Sequence, residues 1–162
     1  MRRGFGTNKK MGWNHAIWLY HESRMEVVAS STDQLFAELA RFRGAWPKKG
    51  WSWDYRLNCV ASSFHADLTQ ECEGALIVSF KDMFDQRTIE RASDNIAELA
   101  DAAGGIRSDQ RIYVMRSTGR LMPYAMWWPW GDEITISLRV GLSGYVGDAD
   151  FQRLQSEFNA LS

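Results

Sequence analysis

The spacing of apolar residues along the chain predicts three helices. The first follows residue 30 and repeats its apolar residues at helical intervals, at Leu35, Phe36, Leu39 and Phe42. Ser31 and Gln34 have the spacing of a capping box at its start, and Gly44 and Pro47 are placed to end it. The last helix, near the C-terminus, has Asp148 as its predicted N-cap and an apolar face of Phe151, Leu154, Phe158 and Leu161.

The second helix is predicted to run from Asp85 to Ala103. Its apolar stripe is Ile89, Ala92, Ile96, Leu99 and Ala103. Asp85 is the expected N-cap, and Gly104 stands where a left-handed C-terminal turn needs a residue without a side chain.

Short apolar and alternating runs predict six to seven strands. Residues 16–30 resemble two strands joined by a turn at "ESR", and a strand is expected within 53–64 after the Trp-rich loop 46–53. The polar residues 66–74 indicate a turn, and "GALIVSF" (74–80) has the length of a buried strand. Three further strands are predicted within "QRIYVMRS" (110–117), "GRLMPYAMWW" (119–128) and "EITISLRVGL" (133–142).

The resulting order is roughly ββα-ββα-βββα. Runs of antiparallel strands interrupted by helices favour the α+β class, with a mainly antiparallel sheet and three helices packed on one face.

Three of the eight tryptophans lie within "MWWPWGDE" (126–133), at the predicted turn between the last two strands. With a loop of even length, Trp127 shares the core face with Ile134 and Ile136, whereas Trp128 lies on the opposite face with Tyr124 and Arg139. Trp130 is expected at the rim of the turn. An odd loop or a bulge would exchange Trp127 and Trp128.

Large exposed aromatic side chains are enriched in binding sites. The predicted ligand-binding residues are therefore those of the second face together with two tryptophans of the loop: Trp128, Trp130, Tyr124, Arg139, Trp51 and Trp53. The alternative is that another segment, such as the loop 46–53, covers the second face, so that all these rings belong to the core.

The 162 residues, of which 45% are hydrophobic, predict a single α+β domain over 13–162, preceded by a mobile basic tail at 1–12. No apolar run is long enough to span a membrane, and no apolar segment follows the basic start as in a signal peptide, so a cytoplasmic location is the expectation. Cys59 and Cys72 are expected to be reduced and buried.

Charge is unevenly distributed although the net charge is −1. Residues 1–56 carry ten basic and five acidic side chains, and residues 57–162 carry nine basic and fifteen acidic ones. Such an asymmetry could steer an acidic partner to one face, or it could arise by chance.

No stretch matches a catalytic, cofactor or metal-binding motif; Cys59, Cys72 and His65 show no recognised spacing, and the glycines at 141, 144 and 147 do not form a phosphate-binding loop. The leading hypothesis is a binding or interaction protein without a cofactor that uses its tryptophan-rich face for a small molecule or a protein partner. A homodimer formed through that face is the simplest version.

Two other classes of function stay open. An enzyme of unrecognised type would bring His21, His65 or a carboxylate to a tryptophan-lined pocket. Single-stranded nucleic acid could bind the loop 41–53, where four basic residues alternate with Trp46, Trp51 and Trp53, although the net negative charge disfavours it.

Overall fold

The computed structural model describes residues 31–160, which form four helices and six strands. The helices are α1 (31–45), α2 (Thr69–Ser79), α3 (Asp94–Ala102) and α4 (Asp148–Glu157). The strands are β1 (Ser52–Asp54), β2 (Cys59–His65), β3 (Asp82–Phe84), β4 (Arg111–Val114), β5 (Leu121–Pro129) and β6 (Thr135–Gly144).

The strands form one antiparallel sheet in the order β1-β2-β6-β5-β4-β3. The long strands β5 and β6 lie at its centre, and the two three-residue strands form its edges. The α+β class with a mainly antiparallel sheet is therefore confirmed.

Helices cover both faces of this sheet. One face packs against α1, α2 and α4, whose buried residues include Leu39, Leu76 and Leu154. The other packs against α3 through Ile96 and Ala100. Of the three helices predicted to share one face, α1 and α4 do so, whereas the one predicted to start at Asp85 forms α3 on the opposite face. The third helix on the first face is α2, where a turn and a strand were predicted. We call the surface covered in part by α3 the α3 face.

The predicted strand at 74–80 and the predicted turn at 66–74 are both wrong, because a short helical turn at Ala66–Leu68 leads directly into α2. The apolar run "ALIV" is not buried throughout: Leu76 is fully buried, whereas Ile77 and Val78 are exposed. Cys72, Leu76 and Ser79 recur at helical spacing and form the buried side.

The helix predicted from Asp85 to Ala103 is interrupted. β3 ends at Phe84, and the Asp85 carboxylate accepts the backbone N–H groups of Arg87 and Thr88 in a turn instead of capping a long helix. A short helical turn at Ile89–Arg91 follows, and α3 begins at Asp94. The predicted apolar stripe still packs on one cluster, and Gly104 has the expected left-handed φ of 91°.

The segment predicted as one strand within 53–64 is a hairpin. β1 and β2 pair from Asp54 with Cys59, and residues 55–58 form the turn between them. Asn58 has a φ of 50°, in the left-handed region that asparagine tolerates. The loop 46–53 therefore gives its last two residues to β1.

The predicted helices at each end of the described region are confirmed. Helix α1 buries Leu35, Phe36, Leu39 and Phe42. In α4, Leu154 is fully buried and Phe158, just after the helix, is nearly so. The predicted cap Asp148 is wrong, because the helix is capped at Gly147, whose N–H donates to Asp150 Oδ2 at 2.9 Å.

The β5–β6 hairpin confirms the predicted division of the tryptophans. Pro129 pairs with Ile136 across a loop of even length, so that Trp127 lies opposite Leu138 in the core. Trp128 lies opposite Ser137 on the α3 face, with Tyr124 and Arg139. Trp130, at the turn, is 52% exposed.

Several sequence predictions fall outside residues 31–160: the tail at 1–12, the strands at 16–30, His21 and Leu161. Among the helices that the structure describes, none is long and apolar enough to cross a membrane.

Gly141 provides a test of the packing between β5 and β6. The Tyr124 ring lies over Gly141 where a Cβ would project, and this tyrosine is buried. We expect Gly141→Ala to lower the free energy of unfolding by about 1–3 kcal/mol, measured by urea denaturation, because the buried Tyr124 ring must shift to make room for the added methyl group.

Gly74 is the matched control for Gly141. It lies within α2, and a Cβ there would meet nothing within 4 Å. Gly74→Ala should therefore raise stability by about 0.5–1 kcal/mol, the usual gain for alanine in a helix. Equal effects of the two substitutions would contradict the proposed clash with Tyr124.

Candidate ligand-binding cleft

A cleft of about 380 Å³ opens on the α3 face beside the β5–β6 turn. Its walls combine two tryptophans with three arginines: Trp128, Trp130, Arg56, Arg107 and Arg139. Apolar parts of Leu57, Ala103, Met126 and Pro129 complete it. We call this site the Trp–Arg cleft. Its volume lies near the lower end of the range typical of small-molecule sites.

The tryptophans of the Trp–Arg cleft are held by a well-defined hairpin. Trp128 is half-buried in β5. Two residues later, the backbone N–H of Trp130 donates to the Thr135 carbonyl at 2.8 Å. Asp132 fixes the turn, because its carboxylate accepts the N–H groups of Ile134 and Thr135 and the Thr135 hydroxyl. The exposed Trp130 ring therefore projects from a backbone whose conformation is already set.

Two arginines of the cleft are positioned by Asp54, at the end of β1. Its Oδ2 accepts Arg139 Nε at 3.1 Å, and its Oδ1 accepts the backbone N–H groups of Arg56 and Leu57. Burial raises the pKa of Asp54, but the hydrogen bonds from Arg139 and from these two N–H groups outweigh it and hold that pKa below its ordinary value. Asp54 is therefore a carboxylate at neutral pH and organises both arginines.

Arg107 reaches the cleft from the turn that follows α3. The buried side chain of Gln110 accepts the Arg107 N–H at 2.8 Å, which fixes this turn. At the end of α3, the carbonyls of Ala100 and Asp101 accept the N–H groups of Gly105 and Gly104.

Positive charge dominates the Trp–Arg cleft. Of the described residues that line it, three are arginines and none is acidic. Asp54, which does not line the cleft, forms an ion pair with Arg139 and compensates one of these charges. Within residues 31–160, Arg139 is ion-paired, whereas Arg56 and Arg107 form no ion pair. The cleft is therefore suited to an anionic ligand.

The six ligand-binding residues predicted from the sequence do not form one surface. Trp128, Trp130 and Arg139 meet in the Trp–Arg cleft. Tyr124 shares their face but is only 2% exposed. Trp51 and Trp53 pack on the opposite side of the sheet with the cluster of α1, α2 and α4.

The segment 41–53, predicted as a loop, belongs to α1 up to residue 45 and to β1 from residue 52, and its Trp46 and Trp51 take part in aromatic packing. Trp46 is buried, and its indole N–H donates to Ser62 Oγ at 3.1 Å. The Trp51 ring packs edge-on against Phe158, with ring centroids 4.8 Å apart. These two rings are engaged by the protein itself, which removes much of the stacking surface that single-stranded nucleic acid would need.

The other residues considered for chemistry are not assembled into a site. Cys59 and Cys72 are both free and buried, as expected, and burial raises the pKa of each thiol to about 12. His65 accepts the Asp67 N–H at the end of β2 and does not line the Trp–Arg cleft. Among the described residues, no three histidine, cysteine or acidic side chains are grouped to hold a metal ion.

Sequence reasoning missed Arg56 and Arg107. The strand predicted within 53–64 includes Arg56, and Arg107 lies between the predicted helix ending at Ala103 and the strand predicted within 110–117. The "WDYRLN" segment carried a usable signal, because aspartate and asparagine both favour turns, and Asp54 and Asn58 lie only four residues apart. No comparable signal connected Arg107 with the tryptophans, since their proximity depends on α3 crossing the sheet.

No protein-family model, curated protein or solved structure matches this chain. Its function is therefore inferred from the geometry of the Trp–Arg cleft.

Proposed function

We propose that this chain is a binding protein for a small molecule that occupies the Trp–Arg cleft. The observation that carries the proposal is the combination of two accessible indole rings with three guanidinium groups around one cleft of about 380 Å³. Small-molecule sites typically pair apolar and aromatic walls with a few well-placed polar groups.

Preorganisation supports the same proposal. The three turns that supply Arg56, Arg107 and Trp130 are each fixed by a side chain, from Asp54, Gln110 and Asp132 respectively. A ligand that binds side chains on already ordered turns pays less conformational entropy, which favours affinity.

A protein partner at the same place is the second candidate. Trp130 and Ile134 are each 52% exposed at the tip of the β5–β6 hairpin. An aromatic residue at such a tip could anchor a second copy of the chain. A monomer by analytical ultracentrifugation would count against the homodimer version of this candidate.

A cytoplasmic location belongs to the proposal as well. Two free, buried thiols are typical of proteins from reducing compartments.

Indole N–H signals in NMR spectra test whether the cleft binds a small molecule. Anilinonaphthalene sulfonate is a suitable probe, because it combines aromatic rings with an anionic group. We expect its addition to shift the signals of Trp128 and Trp130, which line the cleft, and to leave those of Trp46 and Trp127 unchanged. Each signal is assigned by a tryptophan-to-phenylalanine variant.

The buried Trp46 and Trp127 are internal controls, since both lie on the opposite side of the sheet. Saturable binding with a Kd below about 1 mM is the expected result. Shifts confined to other tryptophans, or no shift at probe concentrations up to about 1 mM, would overturn the proposed site.

A further inference from the structure

The charge balance of the Trp–Arg cleft restricts the kind of anion that it accepts. Arg56, Arg107 and Arg139 bring three positive charges, and Asp54 compensates one of them through its contact with Arg139. Two positive charges therefore remain without a counter-charge among the cleft-lining residues. A phosphate monoester carries about −1.5 to −2 at neutral pH, whereas a carboxylate carries −1.

Arg56 and Arg107, which have no ion pair among the described residues, line the same cleft. Guanidinium groups bind phosphate oxygens through two parallel N–H bonds. Arg139 uses its Nε on Asp54, so that this aspartate sets the orientation of its guanidinium at the cleft. Arg56 and Arg107 are exposed, and their backbone positions are fixed by Asp54 and Gln110.

The tryptophans supply a place for a planar ring. Trp128 is half-buried and Trp130 is 52% exposed, so both indoles have accessible surface beside the arginines. Stacking of a nucleic-acid base on an aromatic side chain contributes about 1–3 kcal/mol. A volume of about 380 Å³ suits a mononucleotide-sized molecule better than a dinucleotide.

We infer that the ligand of the Trp–Arg cleft is an aromatic phosphate monoester of about the size of a mononucleotide, with its phosphate on Arg56 and Arg107 and its ring on Trp128 or Trp130. This inference rests on the proposed function. The proposed ligand site is distinct from the binding of single-stranded nucleic acid by residues 41–53, because the cleft lies on the opposite face of the sheet from Trp51 and Trp53.

Isothermal titration of the full chain tests the inference with phosphorylated and unphosphorylated probes. The probes are the four ribonucleoside monophosphates, phenyl phosphate, adenosine, inorganic phosphate and benzoate. We expect at least one monophosphate to bind about tenfold more tightly than adenosine, inorganic phosphate or benzoate, since only it satisfies both the rings and the arginines.

Arginine variants assign the phosphate to its contacts. Arg56→Gln and Arg107→Gln should each weaken binding of that monophosphate by about tenfold and leave adenosine binding unchanged. Arg87→Gln is the matched control, because Arg87 is also exposed and lies outside the cleft, and the substitution removes the same charge. It should change affinity by less than about twofold.

The outcomes separate this inference from the proposed function. If anilinonaphthalene sulfonate shifts the signals of Trp128 and Trp130 but no organic phosphate probe binds more tightly than adenosine, inorganic phosphate and benzoate, the cleft binds small molecules and the phosphate inference fails. If neither the sulfonate nor a phosphate binds, both fail. A hexadeoxyadenylate strand that binds more tightly than every monophosphate would also overturn the inference, in favour of a nucleic-acid strand.

Discussion

Trp127→Ala is expected to lower the free energy of unfolding by about 3–5 kcal/mol, the largest effect of any single substitution near the tryptophan cluster. Trp127 is only 3% exposed, and its ring contacts Phe64 with centroids 5.3 Å apart. Alanine would leave a large cavity between the centre of the sheet and the helices that cover it. Urea denaturation followed by far-ultraviolet circular dichroism measures the loss.

Trp130→Ala is the matched control. It removes the same kind of side chain three residues further along the chain, at a position where the ring is 52% exposed. We expect a change of less than about 0.5 kcal/mol, as for most surface substitutions. If Trp127→Ala does not fold, Trp127→Phe gives a smaller loss on the same scale. A loss from Trp130→Ala equal to that from Trp127→Ala would contradict the assignment of the two rings to core and surface.

The opposite orientations of Trp127 and Trp128 could be predicted because strand geometry alternates strictly. Once "GRLMPYAMWW" and "EITISLRVGL" are recognised as paired strands, the length of the turn between them decides which face each residue occupies. This argument uses only local sequence. It is confirmed by the pairing of Trp127 with Leu138 and of Trp128 with Ser137.

Helix α2 could not be recognised by the same kind of argument. "ALIV" is a short apolar run, and its length suits a strand as well as a buried helical turn. What distinguishes the two is tertiary contact: Leu76 and Phe80 are buried in the core, while Ile77 and Val78 remain exposed. The exposure of two large apolar residues within such a run is not encoded in the local pattern.

Only part of the Trp–Arg cleft could be predicted, because some of its residues are placed by strand alternation and others by tertiary packing. Trp128, Trp130 and Arg139 come from one hairpin, so alternation alone places them together. Arg56 comes from the turn before β2 and Arg107 from the turn after α3. Arg107 lies near the tryptophans because α3 packs on this face and not with the other helices. No pattern in the sequence predicts on which face α3 packs.

Asp150→Ala is expected to lower the free energy of unfolding by about 2–3 kcal/mol. Asp150 is 8% exposed, and its two carboxylate oxygens accept Arg120 Nη1 at 2.6 Å and Nη2 at 2.7 Å. It also accepts the Gly147 N–H that begins α4. Removing one partner of a fully buried ion pair costs about 3–5 kcal/mol, and the cost here is smaller because about a third of the Arg120 side chain is exposed to water.

Acidification should remove the same stabilisation. The hydrogen bond from Arg120 is the main cause that lowers the pKa of Asp150, and the Gly147 N–H adds to it, while burial opposes both. A carboxylate with a lowered folded-state pKa stabilises the fold above its unfolded pKa of about 3.9, and this stability is lost as the pH falls through the folded pKa. The difference between wild type and Asp150→Ala should therefore be constant near neutral pH and shrink below about pH 4.

Asp148→Ala is the control that decides between the two aspartates of the first turn of α4. Asp148 was the cap expected from the sequence, but it is exposed, and Asp150 makes the contacts with Gly147 and Arg120. Asp148→Ala should lower stability by only about 0.5 kcal/mol, its interaction with the helix dipole. A larger loss from Asp148→Ala than from Asp150→Ala would restore the cap expected from the sequence and contradict the role assigned to Asp150.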